Sequence, residues 1–181
     1  MRRNILILGA ALLFAMAAVF PAAARVTENS TIDPAIVAPL MAWVAKETGT
    51  RITAVPQVVA SRSLLAAALS RGGTSPIGRP RSGYVGGVVI VDNVYWDDED
   101  PTQISLLVHE LVHHAQHSMT RTRWACADAR EEQAYILQNK WLENHGHAPF
   151  VSTAWIQRVS GCGEPVMQRP TVADNETEPN G

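Results

Sequence analysis

The stretch DPTQISLLVHELVHHAQH, residues 100–117, decides the fold. It predicts a helix, because Asp100 supplies a cap and Pro101 stands at the first helical position, where proline is favoured. Gln103 is placed to complete a capping box. An apolar stripe at helical spacing then predicts the face that packs on the core: Ile104, Leu107, Val108, Leu111 and Ala115.

Two histidines of this helix, His109 and His113, are four residues apart, so their imidazoles project one turn apart from one face. That spacing lets both rings bind a single metal ion. Glu110 points about 100° away and is suited to act as a general base beside a metal-bound water. We therefore predict a metal site with His109 and His113 as ligands and Glu110 as the catalytic residue.

A catalytic zinc usually has three protein ligands and one water. His117 cannot share an ion with His109, because eight residues correspond to about 12 Å along a helix. The metzincin pattern HExxHxxGxxH is excluded, since position 116 is Gln and position 119 is Met. A carboxylate from a second helix is the remaining common solution, and residues 125–143, which lack Gly and Pro, predict that helix.

The HELVH motif of residues 109–113, with Glu131, Ala134 and Tyr135 on the second helix, resembles the gluzincin group of zinc metallopeptidases. In that group the glutamate of a Glu-x-x-Ala pattern is the third metal ligand, which implies this role for Glu131. Glu132 is the alternative third ligand. The two glutamates exclude each other, because only one of two adjacent helical residues can face the ion. The resemblance implies Zn2+ as the cofactor and a peptide or protein as the substrate.

The resemblance covers residues 84–143 and implies an α+β fold, a small zincin-like domain. Its helices would pack on a short, mostly antiparallel sheet, and two central helices would bind the metal. The valine-rich segment Tyr84–Val91 predicts the strand that borders the cleft, where an extended peptide can pair with a free edge. Residues 71–83, rich in Gly, Pro and Arg, predict a loop.

Several supporting roles stay open between residues. The aspartate that follows the ligand glutamate by four residues in the family is replaced here, so the residue that orients a metal histidine is one of Tyr135, Gln138 and Asn139. Candidates for stabilising the oxyanion are Tyr84, His145 and His147. His114 and Gln116 are expected either to contact one of the metal-binding side chains or to lie exposed.

The rest of the chain predicts a scaffold around this pair of helices. A helix begins at Asp33-Pro34 and ends at Gly49, and a shorter one covers Ser61–Leu69. Residues 51–60 are predicted to be extended, with Pro56 confining them to a sheet edge or a break. A last short helix is expected over Thr153–Val159.

The first 24 residues predict a signal peptide, since Arg2 and Arg3 precede an apolar run and Ala22–Ala24 offer a cleavage site. Residues 25–163 are then the catalytic domain, and 164–181 a disordered polar tail. Export would expose Cys126 and Cys162 to oxidising conditions, which favours a disulfide over two free buried thiols.

Without the leader, 13 Lys and Arg remain against 17 Asp and Glu. A net negative charge without a basic run argues against nucleic acid as a partner and against stable membrane association after cleavage. The expected location is periplasmic or secreted.

The sequence therefore predicts an exported zinc-dependent hydrolase, a metallopeptidase. The alternative is a catalytically inactive gluzincin-like domain that binds zinc and serves as a binding or regulatory module. The small size and the replaced aspartate favour the alternative. The presence of Glu110 favours the enzyme, because a structural zinc needs no general base.

Overall fold

Nine elements follow one another in the computed structural model, which describes residues 26–51, 54–70, 80–119 and 122–162. In chain order they are β1 Ser30–Thr31, α1 Pro34–Thr48, β2 Gln57–Ala60, α2 Arg62–Leu69, β3 Ser82–Val85, β4 Val88–Val91, α3 Pro101–His117, α4 Ala129–Asn144 and α5 Thr153–Val159. Five helices thus pack on a small four-stranded sheet, which confirms the predicted α+β class.

The sheet has the strand order β1-β2-β4-β3. β1 and β2 are antiparallel, as are β4 and β3, whereas β2 and β4 run parallel. Two of these three pairings are antiparallel, as expected. β3 lies at an edge of the sheet, with only β4 beside it among the described strands.

The Tyr84–Val91 segment is two strands, so its prediction as one strand is wrong. It divides into β3 and β4 around Gly86 and Gly87, whose φ angles are 60° and 90°. Glycine adopts such angles without steric cost, and two in succession form the tight turn of a hairpin. β3 begins at Ser82, so the predicted loop 71–83 extends too far, and its residues 71–79 lie outside the described ranges.

Pro56 marks a break and not a sheet edge. It stands directly before β2, which lies inside the sheet between β1 and β4. Because the proline precedes the strand, its missing N–H removes no hydrogen bond from the ladder.

The scaffold helices are confirmed. Asp33 caps α1, which ends before Gly49 at a φ of 66°. Ser61 caps α2 through its hydroxyl, and α5 covers the predicted Thr153–Val159.

α3 is the central element of the core. Asp100 caps it, and its predicted apolar stripe is buried, with Ile104 the most exposed member at 8%. The helix packs on α1 and α4 and lies across β3 and β4. These contacts fix the position of α3, and they therefore also fix where His109 and His113 lie.

α4 begins at Ala129, four residues later than predicted. The preceding turn contains Cys126, which forms a disulfide with Cys162 at a Cα separation of 5.6 Å, as the sequence predicts. The bridge ties this turn to the segment after α5, and the helix begins only beyond it. The disulfide is compatible with a protein outside the cytoplasm.

Two predictions fall on the chain ends. The signal peptide, residues 1–24, and the polar tail, residues 164–181, lie outside the described ranges. Within those ranges no helix combines the length and the apolar character that crossing a bilayer requires.

Candidate metal centre

Three side chains from two helices converge beside α3: His109 and His113 from α3, and Glu131 from α4. The Nε2 atoms of the two histidines are 3.1 Å apart. One carboxylate oxygen of Glu131 lies 3.2 Å from Nε2 of His109, and the other lies 3.3 Å from Nε2 of His113. The structure thus brings together the three residues predicted to bind the metal, and their role as ligands stays a prediction.

The proton position on His109 follows from a chain of hydrogen bonds. The Ser105 hydroxyl donates to the carbonyl of Thr102 at 2.8 Å, so its oxygen accepts from the amide nitrogen of Gln138 at 3.1 Å. The amide oxygen of Gln138 therefore faces Nδ1 of His109, 3.1 Å away. Because that oxygen can only accept, Nδ1 carries the proton, and Nε2 of the neutral ring holds a lone pair.

His113 is oriented in the same way by a different glutamine. The amide nitrogen of Gln116 donates to the carbonyl of Arg130 at 2.9 Å and to the side-chain oxygen of Gln133 at 3.1 Å. Its amide oxygen consequently faces Nδ1 of His113 at 2.9 Å. Nε2 of His113 is again left with a lone pair when the ring is neutral.

When both rings are neutral, two lone pairs and a carboxylate therefore face one another across little more than 3 Å, an arrangement that a cation between them would stabilise. Ligand atoms about 2.0 to 2.1 Å from a tetrahedral zinc ion are about 3.3 Å apart. The two Nε2 atoms, 3.1 Å apart, are close to that value, and the three donors, taken as one atom from each residue, lie within 4.8 Å of one another. The cluster has the donor types and the spacing of a zinc site.

The electrostatics of the cluster agree with a site for positive charge. Burial favours the neutral carboxyl of Glu131, but hydrogen bonds from His109 and His113 outweigh it and hold the pKa of Glu131 well below its usual range. Burial would lower the pKa of His113, yet its hydrogen bond to Glu131 and the nearby charge of Glu110 raise that pKa above its ordinary value. Both shifts favour a positive charge beside the carboxylate of Glu131.

Glu110 lies on the side of α3 that faces β3. Its side chain is almost fully buried, and its Oε1 accepts a 2.8 Å hydrogen bond from the hydroxyl of Ser82. Within the described residues, Oε2 has no hydrogen-bond partner. The carboxylate of Glu110, the predicted general base, is thus held at Oε1 by a residue of β3.

The two residues left open as third ligand have different positions. Glu131 is in the cluster, whereas the side chain of Glu132, the next residue of α4, is exposed. Adjacent helical residues point about 100° apart, so the register that directs Glu131 inward directs Glu132 to solvent.

The orienting role that the sequence left open belongs to Gln138. Tyr135 instead packs its ring edge-on against His109, with centroids 4.5 Å apart. Burial, and then the charges of Glu131 and Glu110, raise the pKa of Tyr135, so its phenol stays protonated. Asn139 binds the backbone of Phe150 and Val151 and holds the segment before α5.

Two of the oxyanion candidates lie far from the cluster. His145 follows α4 and is separated from Glu131 by fourteen residues, about 21 Å of helix. His147 lines a cavity with Pro101 and Phe150, at the opposite end of α3. Neither can contact a group bound at the cluster.

The third oxyanion candidate, Tyr84, lies on the β3 side of α3, one turn beyond Glu110. Its ring contacts His114 edge-on at 5.7 Å and lies 6.2 Å from the ring of His117. Gln116 contacts His113, a predicted ligand, which is one of the two positions expected for it, and His114 packs on Tyr84. β3 thus lies along α3 from Glu110 toward the C-terminal end of the helix.

Sequence reasoning missed Ser82, the partner of Glu110. It stands at the end of a stretch rich in Gly, Pro and Arg, which masked the beginning of β3. The available signal was Gly86-Gly87 between apolar residues, a pattern typical of a two-residue hairpin. Pairing outward from that turn reaches Ser82 opposite Val91.

A family model described as "Domain of unknown function (DUF6647)" matches residues 29–167, and the chain belongs to this family. No curated protein and no solved structure was found to match the chain. The described elements all lie within the matched range.

Proposed function

We propose that this member of the DUF6647 family is an exported zinc-dependent hydrolase, a metallopeptidase that cleaves peptides or proteins. The observation that carries the proposal is the convergence of His109, His113 and Glu131, with each histidine turned by a glutamine so that its lone pair faces the others. The resemblance of the HELVH motif and Glu131 to the gluzincins points to the same chemistry.

The donor set favours zinc over other common ions. Two imidazole nitrogens and one carboxylate oxygen are a frequent ligand set for catalytic zinc, whereas Ca2+ and Mg2+ prefer sites made of oxygen atoms. Three protein ligands leave a fourth position of a tetrahedral ion for water or substrate. Hydrogen bonds from Nδ1 of both histidines also fit zinc sites, where such partners fix the ring and its tautomer.

The residues around the cluster have separate roles in the proposed hydrolysis. Zinc, when bound, polarises the scissile carbonyl and acidifies a water molecule. Glu110 would accept a proton from the attacking water, with its carboxylate held at Oε1 by Ser82. The neutral phenol of Tyr135, packed on His109, keeps the ring in place without adding a negative charge beside the ligands.

A polypeptide is the substrate class that the surroundings favour. β3 lies at the edge of the sheet and passes Glu110 at Ser82, so an extended peptide that pairs with this edge lies beside the base. The excess of acidic over basic residues disfavours nucleic acid. The disulfide is compatible with the location that the predicted leader favours, the periplasm or the outside of the cell.

The test compares Glu110→Gln with Glu132→Gln, a change of an exposed glutamate. Fluorescein-labelled casein and a mixture of internally quenched peptides serve as substrates, and zinc is measured by elemental analysis. We expect Glu110→Gln to lower the hydrolysis rate about 100- to 10,000-fold while zinc stays bound, because a general base is lost without a ligand. Glu132→Gln should keep both properties.

Hydrolysis that survives Glu110→Gln would contradict the mechanism. A protein that binds about one zinc per chain but cleaves none of the substrates would instead support the alternative, a zinc-binding module without turnover.

A further inference from the structure

Ser82 connects the edge strand of the sheet to the proposed general base. Its hydroxyl donates to Oε1 of Glu110 at 2.8 Å, a contact between residues 28 positions apart in the chain. Both partners belong to regular elements, Ser82 to β3 and Glu110 to α3, so neither end of the bond lies in a loop.

The hairpin register fixes the direction of the Ser82 side chain. Ser82 pairs with Val91, and the next backbone hydrogen bond, from Asp92 N–H to the Arg81 carbonyl, is 2.8 Å long. Successive residues of a strand face opposite sides of the sheet. Gly83 accordingly faces α2, where a Cβ would lie 3.3 Å from a methyl group of Leu65.

A shift of this register by one residue would turn Ser82 away from α3 and bring Gly83 in its place. The turn at Gly86 and Gly87 therefore sets more than the strand pairing. The turn also places the hydroxyl group of Ser82 beside Glu110. Gly83 has no side chain and could not donate this hydrogen bond after a shift.

We propose that Ser82 is a positioning residue of the hydrolytic site, which holds the carboxylate of Glu110 beside the metal cluster. This inference rests on the proposed function. A glutamate side chain has several rotatable bonds, and a base that must meet a water within hydrogen-bonding distance loses efficiency when these bonds are free. Since Ser82 belongs to the strand that would pair with substrate, it also fixes the base relative to the bound peptide.

The experiment uses three variants of the full protein. Ser82→Ala removes the hydroxyl, and Ser82→Thr restores one at the same atom. Ser30→Ala is the matched control, because Ser30 also begins an edge strand, and its hydroxyl donates to the carbonyl of Thr27 on the other side of the sheet. Thermal unfolding and zinc content are measured for each variant.

With the peptide mixture as substrate, we expect Ser82→Ala to lower kcat about 10- to 100-fold and to leave KM within about twofold. Ser82→Thr should recover most of kcat, and Ser30→Ala should match the wild type. A purely structural role would change the unfolding temperature and zinc content and would not be rescued selectively in kcat.

A second measurement needs no turnover. Cobalt(II) is loaded in place of zinc, and its visible absorption reports the coordination shell next to Glu110. We expect a changed spectrum for Ser82→Ala and an unchanged one for Ser30→Ala. If the wild type is active and Ser82→Ala has the same kcat, the positioning role is wrong. If the wild type binds metal without turnover, the positioning role is wrong when Ser82→Ala has the same spectrum. If the wild type takes up neither metal, the proposed function fails as well.

Discussion

Two polar networks of this protein contain carboxylates, but their carboxylates have different surroundings. One is the α3–α4 cluster of His109, His113 and Glu131, in which three electron-pair donors converge. The other, the α2–β4 network, consists of Glu28, Ser61, Arg62, Ser63 and Asp92. It joins the chain before β1 to the start of α2 and the end of β4.

Both carboxylates of the α2–β4 network are matched by donors from the chain itself. Asp92, with a side chain 1% exposed, accepts bonds of 2.9 and 3.0 Å from Nε of Arg62 and a third from Val94 N–H. Glu28 accepts from the hydroxyl groups of Ser61 and Ser63 at 2.6 and 2.7 Å.

The difference supports the proposal that the α3–α4 cluster binds a ligand. In the α2–β4 network the chain supplies both carboxylates and the donors that they need, so these anions require no group from outside. In the α3–α4 cluster the glutamines turn both lone pairs inward, and the cation must come from outside. Substitutions in the α3–α4 cluster should therefore change zinc affinity, and substitutions in the α2–β4 network should change stability against unfolding.

Gln138→Met has the largest expected effect of the three changes that compare the networks. Methionine keeps the length of the side chain, but its sulfur is only a weak acceptor for the Nδ1 proton of His109, so the ring is held less firmly. We expect zinc affinity, measured by competition with a chelator, to fall about 10- to 100-fold. Gln157→Met on the exposed face of α5 is the control, and equal affinities in the two variants would refute the orienting role of Gln138.

Asp92→Asn should act on stability alone. It removes the charge that faces Arg62 but keeps the shape of the side chain, and Arg62 is partly exposed. We expect the free energy of unfolding in urea to fall by about 1 kcal/mol, with zinc affinity unchanged. The control is the exposed Asp98→Asn. A loss of zinc affinity in Asp92→Asn would show that the two networks are not separate.

Glu28→Gln has the smallest expected effect, and it depends on pH. Hydrogen bonds from Ser61 and Ser63 lower the pKa of Glu28 to about 2, from an ordinary value of 4.5. A lowered folded-state pKa stabilises the fold above about pH 4.5, and this contribution is lost as the pH falls toward about 2. The wild type should therefore unfold at a higher temperature than Glu28→Gln at neutral pH, and the difference should vanish near pH 2. A difference that does not change with pH would contradict this assignment.

The parts of the structure that the sequence predicts well are those encoded by neighbouring residues. Asp33-Pro34 and Asp100-Pro101 mark the beginnings of α1 and α3, and the four-residue spacing of His109 and His113 places both rings on one face. In each case the physical cause lies within one or two turns of helix.

The parts that the sequence leaves open depend on contacts between distant segments. Three residues of α4 were candidates to orient a metal histidine, and only the packing of α4 on α3 selects Gln138. Ser82 was hidden because its contact with Glu110 requires both the hairpin register and the position of the sheet under α3. The choice of Glu131 over Glu132 likewise follows from the rotation of α4 about its axis.

The most direct test of the central claim is a calorimetric titration of Zn2+ into the metal-stripped protein, with Glu131→Gln and Glu132→Gln as a matched pair. These neighbours have the same chemistry, but only Glu131 lies in the cluster. The account predicts about one tightly bound zinc per chain for the wild type and for Glu132→Gln, and an affinity lowered more than about 100-fold for Glu131→Gln. A wild type that binds no zinc, or two variants that bind it equally well, would contradict the account.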